Sequence, residues 1–144
     1  MLNGQISLEL AQKLIAAVVK VAKTQQVAVT AMVVDCGGHP VTLARMDGMA
    51  YPFTEVSRRK ALTGCSFNTP THLLVQYFAH QPELSQGVQA TPEILILAGG
   101  FPIIVNGECV GGLGIAGGRG TQDQDIGAHA LAALQAELSN NESK

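Results

Sequence analysis

The chain has 144 residues, of which 14% are charged and 47% hydrophobic, with 16 glycines, six aromatics, no Trp and a formal net charge of −2. Disordered chains are poor in apolar residues and rich in charge, so disorder is excluded. No nucleic-acid partner is expected, because the net charge is −2, the pI is about 6.0 and few aromatics are available for stacking. The length suits one domain spanning residues 1–144, which would bury roughly 70% of its unfolded surface.

The charges are unevenly spread. Residues 61–107 carry only two, Glu83 and Glu93, and the other 97 residues carry 18. This stretch does not read as a membrane span, because Ser66, Asn68, Thr69, Pro70, Thr71, His72 and Gln76 interrupt it. No run approaches the roughly 20 apolar residues a bilayer helix requires. The N-terminal MLNGQISLEL lacks the basic segment and apolar core of a secretory signal, so a cytoplasmic location is expected. Cys36, Cys65 and Cys109 are odd in number, widely spaced and free of any C-x-x-C pattern. That spacing points to neither a disulfide framework nor a zinc site.

Ser7 is the expected N-cap of a first helix running to about Gln25, with Leu10, Leu14, Ala17, Val18 and Val21 at helical spacing. Val27 to Asp35 is an almost continuous β-branched run and reads as a strand buried on both faces. Cys36-Gly37-Gly38-His39-Pro40 supplies a turn, and Val41 to Met46 returns as a second strand. A second helix is expected from Thr54, and a third from Thr69 with Pro70 at its first position, ending before Pro82. The stretch to Thr91 is ambiguous. Ile94 to Leu97 reads as a short strand, and Phe101–Val105 and Glu108–Ala116 as a hairpin joined by Asn106-Gly107.

The closing helix opens on Thr121-x-x-Gln124, a capping-box pattern. Ile126, Ala130, Leu131, Leu134 and Leu138 form one side, while Ala128, Ala132, Ala133 and Ala136 line the other. Alanine is the best helix former, so propensity alone explains that second side; a subunit interface explains it equally, and the sparse charge elsewhere favours self-association. The class is therefore α+β, with about five antiparallel strands, flanking helices, and the terminal helices packed on the sheet.

Gly112-Leu113-Gly114-Ile115-Ala116-Gly117 matches G-x-G-x-x-G, but it lies inside a hairpin arm and no second parallel strand can follow, so a dinucleotide site is excluded. Glycines there instead allow another backbone or a ligand to approach closely. Gly117 to Gly120 before a helix could bind an anion, although Asp123 and Asp125 oppose it. Arg45, Arg58, Arg59 and Lys60 are four of the nine basic residues; surface ion pairs account best for Arg58 and Arg59, whereas Arg45 and Lys60 could hold a carboxylate or phosphate. No histidine pair has metal-ligand spacing. A single His can still be the axial ligand of a haem, since the porphyrin supplies four nitrogens.

The segments VVDCGGHPVTLARMDGM and LAGGFPIIVNGECVGGLGIAGG, with RRKALTGCSFNTPT between them, resemble the GlcG/HbpS family, which includes the C-terminal domain of PduO-type corrinoid adenosyltransferases. The resemblance runs from about Leu8 to Leu134. It carries Asp35, Gly37, Gly38, His39, Arg45, Asp47, Gly48, Lys60, Gly99, Gly100, Gly107 and Gly112. It implies a profilin-like fold, a homo-oligomer and haem binding, with haem degradation in some members and association with glycolate or diol metabolism in others. Secreted haem-binding members often have a His before the first helix, where this chain has Gln5, so His39 is the expected iron ligand. Arg45 and Lys60 would then face the haem carboxylates. A second reading is a small-molecule enzyme or accessory factor with a polar pocket of Asp35, Arg45, Asp47, Gly48 and Lys60. A third is a non-catalytic assembly scaffold.

Overall fold

The computed structural model describes residues 4–144. Helix α1 (Leu8–Thr24) is followed by strands β1 (Thr30–Val34) and β2 (Pro40–Arg45), then helices α2 (Pro52–Ser66), α3 (Thr71–Phe78) and α4 (Pro82–Gln89). Strands β3 (Gly100–Val105) and β4 (Glu108–Ala116) and helix α5 (Gln122–Glu142) complete the order. The strands form one antiparallel sheet in the order β2-β1-β4-β3.

Ser7 caps α1 as expected, its hydroxyl accepting from the Leu10 N–H at 3.1 Å. The buried stripe is Ala11, Leu14, Ile15, Val18 and Ala22, turned about one residue from the stripe read in the sequence; Leu10, Ala17 and Val21 flank it. Helices α1 and α5 cover one face of the sheet, where Ala31, Val33, Phe101, Ile103, Val110, Leu113 and Ile115 meet Ile126, Ala130 and Leu134. The opposite face is covered by α2.

Small residues let α2 lie unusually close to the strands. A Cβ at Gly112 would strike the Ala61 carbonyl, one at Gly114 the Ser57 carbonyl, and one at Gly100 the Lys60 carbonyl. The G-x-G-x-x-G stretch is thus a seat for a helix backbone, and it explains how a core with so few aromatics closes.

The expected fifth strand does not form. Ile94 to Leu97 pairs with no strand: the Leu95 N–H donates to the Thr63 hydroxyl at 2.9 Å, and the Leu97 N–H turns back to the Leu95 carbonyl. With those donors used locally, β3 remains an edge strand, a position where Pro102 is tolerated. The ambiguous stretch holds α4, which buries none of its residues. The capping box at Thr121 also fails. Thr121 has φ −90° and ψ 3°, outside the extended region a cap requires, and its hydroxyl donates to Asp125 instead. The loop amides are met from inside the helix, Gly118 N–H by Asp123 and Arg119 N–H by Gln122, so the protein's own Asp123 occupies the place where Gly117–Gly120 could have bound an anion.

Candidate functional site

One carboxylate organises the turn between β1 and β2. Asp35 Oδ1 accepts from the backbone N–H of Gly37 at 2.9 Å and of His39 at 3.0 Å. The His39 ring folds back onto the same group, with Nδ1 3.1 Å from Oδ1 and 3.2 Å from Oδ2. An ionised carboxylate only accepts, so Nδ1 is the donor and Nε2 is the ring nitrogen left for a ligand. The His39 side chain is 79% exposed, leaving Nε2 free to meet a ligand. Partial burial pushes the Asp35 carboxyl up, but the His39 N–H, the His39 ring and the Gly37 N–H together hold it below the usual carboxylate range.

This turn is fastened to α2. Gly38, with φ +81°, packs against Leu62, and its carbonyl accepts from Arg58 Nη1 at 3.2 Å. The same guanidinium bonds Glu55 and Glu93, each at 2.7 Å from Nη2, so Arg58 is the ion-pair residue the sequence suggested. The Glu55 carboxyl is held down by that contact. Among the described residues Arg59 joins no ion pair.

The remaining candidates lie elsewhere. Arg45 pairs with Thr30 at the opposite end of β2 from the turn, about 17 Å from Pro40 at the usual rise of a strand. It is exposed and makes no ion pair among the described residues. Asp47 and Gly48 follow it in an exposed turn in which Gly48 has φ +85°. Lys60 is 3% exposed, and its ammonium donates to the Ile115 carbonyl at 2.9 Å and to Asp123 Oδ2 at 3.2 Å. Burial pushes the Lys60 amine below its usual range, and the Asp123 carboxylate opposes that shift. Lys60 therefore locks α2 to β4 and α5. The structure brings Asp35 and His39 together and separates both from Arg45, Asp47, Gly48 and Lys60.

The sequence reading missed one cluster. The Sγ atoms of Cys36, Cys65 and Cys109 all lie within 4.8 Å of one another, those of Cys65 and Cys109 at 3.5 Å. The three come from the β1–β2 turn, the last turn of α2 and the start of β4, so only the topology unites them. Gln5 approaches the same place, its Oε1 accepting from the Cys36 N–H at 3.0 Å.

Two grooves lie away from the turn. An open one of about 650 Å³ is lined by His80, Pro82, Leu84 and Val88, and another of about 440 Å³ runs between α1 and α5 along Ala17, Val21, His129 and Ala133. Among the described residues, His39 walls neither of these grooves.

This architecture is shared. The family model described as "Haem degrading protein HbpS-like" matches residues 6–132. The "uncharacterized 15.0 kDa protein in dhaT-dhaS intergenic region" of Citrobacter freundii is 36% identical over 129 residues, 88% of this chain and 89% of its own. The crystal structure of Klebsiella pneumoniae protein ORFY superposes with a TM-score of 0.82 at 38% identity, covering 91% of each chain. That of a PduOC–haem complex superposes with a TM-score of 0.79 at 30% identity, covering 90% of this chain and 94% of its own. With the family model matched over residues 6–132 and the fold superposing closely on these relatives, the chain belongs to the GlcG/HbpS family.

Proposed function

We propose that this chain is a haem- or tetrapyrrole-binding accessory protein, acting as a cytoplasmic homo-oligomer, with His39 Nε2 as the axial ligand. The observation that carries this reading is the Asp35–His39 pair. A ligating His whose other ring N–H is held by a carboxylate has its tautomer and orientation fixed in advance, and is the more basic for it. The similarity to a protein solved as a haem complex supplies the ligand class. When bound, haem brings four of the iron's ligands, so a single side chain completes the attachment.

The donor at His39 fits this group, and in a single chain His39 stands exposed on its turn with none of the described grooves beside it. A macrocycle on an exposed turn needs a second apolar surface, which another copy of the chain would supply. Seven of the eleven exposed large hydrophobics among the described residues fall in the low-charge stretch, including Phe67, Leu73, Val75 and Tyr77. Ala128, Ala132, Ala133 and Ala136 are all exposed on α5. Such patches mark interaction surfaces when contiguous. Arg45, exposed and unpaired among the described residues, is the cation for a carboxylate presented across a subunit boundary. Lys60 is not available for that role.

A small polar substrate held jointly by Asp35, Arg45, Asp47, Gly48 and Lys60 has less support, because Asp35 and Arg45 stand at opposite ends of β2 and Lys60 is buried. Hemin titration of the purified oligomer, comparing the native chain with His39→Ala, tests the proposal.

A further inference from the structure

Cys36, Cys65 and Cys109 form a cluster for which haem attachment through His39 has no use. We propose that they are a three-coordinate thiolate site for a soft monovalent cation, Cu(I). The geometry needs little adjustment. A metal bound by three sulfurs at about 2.3 Å in a trigonal plane sets them about 4.0 Å apart. Here Cys65 and Cys109 stand at 3.5 Å and all three sulfurs lie within 4.8 Å, so side-chain rotation of less than an ångström closes the ring.

The ligand count selects the metal. Thiolates suit Cu(I), zinc and iron–sulfur clusters alike, but zinc in closed protein sites takes four ligands, whereas Cu(I) is satisfied by three. Among the described residues no His, Asp or Glu joins the three sulfurs as a fourth ligand. The cluster is also sheltered: Cys65 is 8% exposed, and Cys36 and Cys109 are half-buried. Without metal the thiols are satisfied by weak bonds, Cys36 to the Cys109 carbonyl at 3.4 Å and Cys109 to the Gly111 carbonyl at 3.4 Å. Burial pushes the Cys65 and Cys36 thiols above the ordinary thiol range, and the neighbouring sulfurs add to that shift at Cys65. Binding then exchanges three S–H bonds for three S–Cu bonds and releases three protons to solvent, with copper remaining Cu(I).

The test is an anaerobic titration of the fully reduced chain with Cu(I) in the presence of a chromophoric Cu(I) chelator. Expected are one Cu(I) per chain withheld from the chelator, about three protons released per metal, and three sulfur neighbours by X-ray absorption. Cys65→Ser and Cys109→Ser should each weaken retention by at least tenfold. Cys36→Ser, in the surface turn and least able to disturb folding, should do the same while circular dichroism is unchanged. No retention against the chelator, retention indifferent to all three substitutions, or a two-sulfur site releasing two protons would each overturn the proposal.

Discussion

Lys60 and Asp123 form a buried ion pair across the α2–α5 boundary, and the lysine's second bond, to the Ile115 carbonyl, ties both helices to β4. Gly99 makes room for it: with φ +117°, a Cβ there would crowd Ile115, Asp123 and the Lys60 ammonium. Removing one member of such a pair strands the other charge without water. Lys60→Met is therefore expected to destabilise the chain by about 3–5 kcal/mol, read as a lowered urea midpoint. A loss under about 1 kcal/mol would show that Asp123 finds solvent or another partner.

Asp35 makes the turn sensitive to acid. Its folded-state carboxyl titrates below its unfolded-state value, so its stabilisation is complete above about pH 4 and is lost as pH falls through the lowered folded value. Asp35→Asn should remove that part of the acid dependence of stability. It should also weaken hemin binding about 10- to 100-fold by freeing the His39 ring. Unchanged hemin affinity in Asp35→Asn, with the fold intact, would detach the carboxylate from ligand binding.

The contact between α2 and β4 leaves no space for a methyl group. Gly114→Ala would drive its Cβ into the Ser57 carbonyl, which belongs to a helix backbone and cannot rotate away. A loss of about 1–3 kcal/mol is expected in thermal or urea unfolding, from overpacking alone. A neutral substitution would mean that α2 can slide on the sheet.

The exposed alanine side of α5 predicts a dissociating variant. Ala132→Glu puts a charge on a surface that is solvent-exposed in the single chain, where such a change ordinarily costs under about 0.5 kcal/mol. If the chain assembles as proposed, the substitution should lower the mass measured by light scattering while leaving the circular dichroism spectrum of the fold in place. A native chain that is already monomeric at micromolar concentration would contradict the assembly itself.

Much of this architecture is legible in the residues because local signals and tertiary need agree. Ser7, Asn106-Gly107 and the β-branched run into Val34 each specify one local conformation, and the fold uses it. The failures share a different cause. Ile94 to Leu97 has strand-like residues, but Thr63 of α2 takes the Leu95 N–H that a ladder would need. Thr121 and Gln124 have capping-box spacing, but Gln122 and Asp123 reach the loop amides first. In the candidate site, Asp35 and His39 are four residues apart and meet through local geometry. The burial of Lys60 and the convergence of the cysteines, 29 and 44 residues apart in sequence, follow only from how α2 lies on the sheet.

The central claim is that His39 holds a haem iron on a preoriented Nε2. Hemin titration of the native protein, followed at the Soret band, tests it most directly, with His39→Ala and His80→Ala in parallel. The account predicts a saturable shift at micromolar protein for the native chain and His80→Ala, and a weakening of at least tenfold in His39→Ala. Saturable binding that survives His39→Ala would contradict the assignment of the ligand, and the absence of any saturable shift in the native chain would contradict haem binding altogether.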